Sequence, residues 1–98
     1  MKQTYTPAPI DTSAIVLPED IVRLGEKLAM NVHENYVQLR LSQGWTYGTT
    51  RDDQKKENPC MVPYDQLSED EKESDRRTSM ETLKTILALG YEIRKIGE

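Results

Sequence analysis

Three side chains able to bind a ligand recur at helical spacing in the first half of the sequence: His33, Tyr36 and Arg40. On a helix of about 3.6 residues per turn they fall within an arc of about 60°. An imidazole, a phenol ring and a guanidinium together suit a planar anion, because the ring can stack on a base while Arg40 and His33 contact phosphate. The structural alternative is a half-buried His33 and Tyr36 at the helix rim, with Arg40 paired to an acidic neighbour.

The other reactive side chains favour neither catalysis nor metal binding. A nucleophilic cysteine needs a histidine base, and the sequence offers only Cys60 and His33. Cys60 lies in an apolar run after Pro59, which favours a buried, unreactive thiol. One cysteine and one histidine are too few for zinc, and Arg51-Asp52-Asp53 lacks the ligand pattern of a calcium loop. We therefore expect no enzyme activity, no metal and no cofactor.

A long helix must carry the three candidate residues. Pro18 suits a first helical position, and Gly44 suits the left-handed residue that follows a helix ending near Gln43. The residues between them repeat at three- and four-residue spacing and predict one buried face, made of Ile21, Leu24, Leu28, Val32, Asn35 and Leu39.

A second helix begins at a capping box formed by Ser68 and Glu71 and ends near Gly90. Its predicted apolar stripe comprises Met80, Leu83, Leu87 and Tyr91, with Ile86 beside it. Between the helices, residues 45–47 and 60–62 form short extended runs that we expect to pack as a small lid or hairpin. The predicted fold is mainly α: one domain over residues 1–98, with two antiparallel helices and short extended or β segments. Residues 1–9 form an extended arm and residues 92–98 a tail, with two alternatives for the tail: pairing with the segment around Ile15, or flexibility.

Length and charge exclude several classes of protein. The chain has 98 residues and a net charge of −4, whereas binding to a nucleic-acid polymer needs a basic surface. No apolar run approaches the roughly 20 residues of a membrane span. A single cysteine allows no internal disulfide, so we expect a reducing, cytoplasmic location. Two helices bury little surface, which favours a homodimer or a partner protein.

Several dissimilar motifs, spread in order along nearly the whole chain, resemble the ryanodine receptor repeat domain. They are residues 5–12 (YTPAPIDT), 28–34 (LAMNVHE), 43–48 (QGWTYG), 51–53 (RDD), 58–60 (NPC), 62–64 (VPY) and 81–91 (ETLKTILALGY). The resemblance implies a mainly helical domain with short strands that serves contacts and ligands rather than catalysis. In the receptors such repeats occur as tandem pairs in a cytoplasmic shell, and stand-alone single copies occur in bacteria and phages. Calcium conduction is not implied for a chain without a channel.

The resemblance also bears on the candidate site. Paired receptor repeats resemble a clamp in which aromatic residues hold a nucleotide, and His33, Tyr36 and Arg40 match that helix. Tyr36 departs from the tryptophan common in the family, and the second half of the clamp is missing here. A homodimer would restore it by setting one Tyr36 opposite another. Two functions follow: a non-enzymatic module that binds or senses a nucleotide-like anion, or a protein-interaction and scaffolding domain.

Overall fold

The computed structural model describes residues 4–97 and contains two long helices within that range. Helix α1 spans Glu19–Ser42 and helix α2 spans Glu69–Ala88, with a short 3-10 turn at Tyr64–Gln66 between them. The extended segments of the described chain form no sheet and pair only through isolated bridges, Thr46 with Glu57 and Asp52 with Glu57. The mainly α fold is therefore confirmed, whereas the short β segments are not. Neither of these helices is long and apolar enough to cross a bilayer.

Local signals set the ends of both helices, as predicted. Pro18 caps α1 in an extended conformation, and Gly44 takes the left-handed φ of 89° just beyond its end. At the start of α2, the Ser68 hydroxyl accepts the Glu71 amide proton at 3.2 Å and donates to the Glu71 carboxylate at 2.9 Å. Gly90 has a φ of 96° two residues beyond α2. Each end thus has the capping or left-handed residue that terminates helical hydrogen bonding.

The two helices pack antiparallel and approach closely at Gly25. A Cβ atom added to Gly25 would lie 2.5 Å from Met80 Sδ and 3.2 Å from Leu83 Cδ1. Next to this contact, Glu26 and Arg76 form an ion pair of 3.4 Å between the helices. A small residue at position 25 therefore lets the side chains of α2 rest on the backbone of α1.

The predicted buried face of α1 is partly wrong. Ile21 is buried, but the face against α2 continues through smaller residues, namely Gly25, Ala29 and His33. Leu24, Val32 and Leu39 are instead 36%, 43% and 55% exposed. The periodicity of large apolar residues predicted the wrong face of α1. The helices pack on the face with small residues because these permit a closer contact. On α2, Leu83 is buried as predicted, whereas Tyr91 lies beyond the helix and is exposed.

The arm before α1 is extended and is tied to α2. Thr12 is buried, and its hydroxyl donates to the Glu81 carboxylate at 2.7 Å. The Cα radius of gyration is 16.9 Å, against about 13 Å for a compact domain of this length. The difference reflects a flat molecule, with principal extents of 49 × 44 × 23 Å. Residues 1–3 of the predicted arm and residue 98 of the predicted tail lie outside the described residues.

Candidate functional site

Helix α1 places the three candidate side chains on one side, and they contact one another. The rings of His33 and Tyr36 stack with centroids 6.5 Å apart and planes 26° apart. The guanidinium carbon of Arg40 lies 5.3 Å from the centroid of the Tyr36 ring. The predicted clustering is therefore present as a continuous stack along two turns of helix, with Tyr36 between the two basic side chains.

His33 is the most buried of the three, with only 4% of its surface exposed. Its Nε2 donates a hydrogen bond of 2.6 Å to the carbonyl oxygen of Val62, and the Tyr64 ring lies 6.2 Å away. The imidazole thus holds the segment before α2 against α1. A direct contact between His33 and a ligand stays a prediction, and this geometry favours a role in positioning Tyr36.

Two residues that the sequence did not mark as ligand-binding complete the stack. Trp45 is buried, with its ring centroid 5.3 Å from the Arg40 guanidinium carbon and 5.2 Å from that of Arg51. Trp45 reaches this place because its amide donates to the Arg40 carbonyl at 2.9 Å, immediately after the helix ends. Four side chains therefore alternate between ring and cation: Tyr36, Arg40, Trp45 and Arg51. We call this set the guanidinium stack.

Backbone pairing in the loop between the helices positions Arg51. The amide of Thr46 donates to the Lys56 carbonyl at 2.9 Å, and Asp52 and Glu57 exchange two backbone hydrogen bonds. These contacts fold residues 46–58 back beside the end of α1. Arg51 also forms an ion pair with Asp53 at 2.8 Å. Sequence spacing alone carried no signal for Arg51, because its place depends on pairings made across the loop.

Asn58 fixes the position of the Tyr36 hydroxyl from within this loop. It is buried, and its side-chain amide donates to Tyr36 Oη at 3.3 Å. Its side-chain oxygen accepts the Cys60 amide proton at 2.8 Å. Asn58, which the sequence marked only as part of the motif at residues 58–60, is thus a supporting residue of the candidate site.

Arg40 differs from Arg51 in its charge balance. Its NH1 donates to the neutral side chain of Gln43 at 3.1 Å. Among residues 4–97, no carboxylate lies within ion-pair distance of the Arg40 guanidinium, whereas Arg51 has Asp53. The acidic neighbour of the structural alternative is therefore not found in the described part of the chain, and Arg40 presents an uncompensated positive charge beside two aromatic rings.

On the other side of Tyr36, a cleft of about 250 Å³ separates α1 from α2 and is acidic. Cys60, Glu71 and Asp75 line it opposite His33 and Tyr36. Burial and the hydrogen bond that Cys60 donates to Glu71 raise the pKa of this thiol to about 11. The same hydrogen bond lowers the pKa of Glu71, and burial raises the pKa of Asp75. The cleft therefore repels anions, and within residues 4–97 no cluster of three or more acidic, histidine or cysteine side chains could hold a metal ion.

Comparison with known families agrees with the motifs. The family model of the RyR domain matches residues 5–95. The match includes both helices, the loop that carries Trp45 and Arg51, and every residue of the guanidinium stack. The resemblance deduced from the sequence is confirmed over nearly the whole chain.

Proposed function

Because the chain belongs to the RyR domain family, and is thus a binding or interaction module, we propose that its guanidinium stack binds a planar, nucleotide-like anion without catalysing a reaction. The observation that carries this proposal is the position of Arg40, 5.3 Å from the rings of both Tyr36 and Trp45. A guanidinium held between aromatic faces keeps its positive charge and its in-plane donors, which match the oxygens of phosphate or carboxylate.

The charge distribution around α1 indicates where an anion can bind. The cleft beside Tyr36 is lined by Glu71 and Asp75, so an anion is disfavoured there. Arg40 and Arg51 do not line that cleft. Both guanidinium groups lie against the Trp45 ring, with their carbons 5.3 Å and 5.2 Å from its centroid. Two such groups can share one phosphate chain, while the planar part of the ligand stacks on the Tyr36 ring or on a guanidinium plane.

A second copy of the chain would enclose such a ligand. The Tyr36 ring already contacts His33 and Arg40, so one protomer offers a ligand only part of its surface. In a two-fold dimer the Tyr36 of the partner would approach the ligand from the opposite side. A homodimer in a reducing cytoplasm is the state that we propose for the bound form.

A thermal-shift screen with nucleotides and cyclic dinucleotides tests the proposal. A ligand at one hundred times its Kd stabilises the native state by about 2.7 kcal/mol, which raises Tm by several degrees in a domain of this size. We expect at least one compound to shift the parent protein, and expect the shift to vanish in Arg40→Gln and Tyr36→Ala. Arg77→Gln, on the exposed surface of α2, is the matched control. A flat screen, or an equal shift in all variants, would contradict the proposal.

The exposed apolar residues of α1 favour a protein-interaction and scaffolding domain as the second candidate. Leu24, Val32 and Leu39 are 36%, 43% and 55% exposed and share one face of α1 by their helical spacing, and an exposed apolar stripe of this kind is typical of contact sites. The most direct test is self-association of the parent and Leu39→Gln in sedimentation velocity. A ligand-independent dimer that Leu39→Gln dissociates would support this candidate, whereas a monomer at high concentration would count against a second copy as the partner.

A further inference from the structure

A second charged surface lies at the opposite end of α1 from the guanidinium stack. The first turns of α1 and the extended tail enclose a groove of about 490 Å³. Its rim carries four basic residues, and we call it the basic groove: Arg23 and Lys27 from α1, Arg94 and Lys95 from the tail. Lys27 and Arg40 are separated by about 20 Å along the helix axis. The basic groove is therefore distinct from the proposed anion site.

Basic side chains outnumber acidic ones in the lining of this groove, four to one. Asp20 is its one acidic lining residue, in a chain whose net charge is −4. Arg23 has an exposed partner, Glu19, at 3.5 Å. Within residues 4–97, Lys27, Arg94 and Lys95 make no ion pair. A concentrated positive patch on an acidic protein attracts and orients acidic partners.

The groove combines this charge with apolar side chains and with tail backbone groups that have no hydrogen-bond partner among residues 4–97. Leu24, Ile93 and Ile96 line it between the basic side chains, and Ile96 is 91% exposed. The amide of Tyr91 donates to the Ile86 carbonyl at 3.2 Å. Beyond it, the described tail has no regular secondary structure and makes no further backbone hydrogen bond of its own. This irregular segment can therefore offer donors, acceptors and side-chain contacts to an extended chain.

We propose that the basic groove binds an extended, acidic segment of a partner protein, in which carboxylates flank apolar side chains. The carboxylates would pair with Arg23, Lys27, Arg94 and Lys95, and the apolar side chains would cover Leu24 and the exposed isoleucines of the tail. Four cations are too few for a nucleic-acid polymer on a chain of this net charge. A groove between a helix and an extended tail fits a single peptide strand better than it fits the plane of a lipid surface.

Fluorescence anisotropy with a fluorescein-labelled peptide of alternating glutamate and leucine tests this proposal on the full chain. The matched peptide replaces each glutamate by glutamine. The groove variant is Arg94→Glu/Lys95→Glu, which lies outside both helices. The control variant is Lys55→Glu/Arg77→Glu, which makes the same change in charge at exposed positions elsewhere. We expect the groove variant to weaken binding by about tenfold or more and the control variant to leave it nearly unchanged, because like charges would face each other only in the groove.

Further measurements distinguish peptide binding from binding to a lipid surface and from binding at the guanidinium stack. The glutamine peptide should bind far more weakly than the glutamate peptide, and added salt should weaken binding of the latter because exposed charges are screened. Equal binding by the groove and control variants would overturn the proposal. So would binding to vesicles containing phosphatidylserine without binding to the peptide. Arg40→Gln should keep peptide binding, so failure of the anion site and failure of the basic groove are distinguishable.

Discussion

Replacing His33 should lower the free energy of unfolding by much more than replacing an exposed residue of α1 does. The imidazole is 4% exposed and donates to the Val62 carbonyl at 2.6 Å. His33→Phe keeps a ring but leaves that carbonyl without its partner, which costs about 1–3 kcal/mol. His33→Ala also removes the buried ring, and we expect a total loss of about 2–4 kcal/mol. Against a stability of about 5–10 kcal/mol, such a loss is large.

Urea unfolding followed by circular dichroism and by the fluorescence of Trp45, the sole tryptophan, measures this loss. In a thermal melt of the same variants, each kcal/mol lost should lower Tm by about 4–8 °C in a domain of this size. Glu34→Ala, the exposed neighbour, is the control and should stay within about 0.5 kcal/mol of the parent. If His33→Ala also stays within that range, the imidazole does not hold residues 58–66 against α1, and our account of how Tyr36 is positioned fails.

Three further predictions concern the helix cap, the helix contact and the buried thiol. Ser68→Ala should cost about 1 kcal/mol through loss of the capping hydrogen bond at the start of α2, measured as a lower urea midpoint. Gly25→Val should cost about 1–3 kcal/mol, because its side chain would overlap Met80, measured in the same way. For Cys60, the folded-state pKa of about 11 exceeds the ordinary 9.0, so the fold favours the protonated thiol. This contribution is present below about pH 9 and is lost as the pH rises towards 11, so parent stability should fall more steeply over that interval than the stability of Cys60→Ala.

Each of these predictions has an outcome that would contradict it. Ser68→Gly, which exposes the same amide protons to water, should cost only a few tenths of a kcal/mol, and an equal loss in both variants would argue against the cap. A Gly25→Val variant as stable as the parent would contradict the close helix contact at this position. The thiol is only partly buried, so solvent screens its contribution. Parallel profiles of stability against pH for the parent and Cys60→Ala would nevertheless refute the predicted contribution of the thiol.

The sequence predicted those features of the fold that depend on local chemistry. Pro18, Gly44, Ser68 and Gly90 mark helix ends through their own backbone or side-chain properties, and each helix begins and ends within two residues of where they indicated. The buried face of α1 was mistaken, because it depends on how closely α2 can approach. Gly25 lowers the apparent apolar periodicity while permitting that approach.

The sequence likewise predicted only the part of the candidate site that depends on local spacing. His33, Tyr36 and Arg40 share a helix, so their spacing alone places them side by side. Trp45 and Arg51 enter the site through a reversal at Gly44 and through backbone pairing between Thr46 and Lys56. Contacts of that kind are non-local and leave no periodic pattern in the sequence. The burial of His33 likewise depends on the carbonyl of Val62, far along the chain.

The central claim, that Arg40 in the guanidinium stack binds a planar anion, is tested most directly by calorimetric titration of ATP into the parent and Arg40→Lys. Lysine keeps the charge but loses the planar fork of donors and the flat face that lies beside the rings. We expect saturable binding to the parent, weakened about tenfold or more in Arg40→Lys, with Arg77→Lys indistinguishable from the parent. Equal affinity in the parent and Arg40→Lys, or no heat of binding to the parent, would contradict the account.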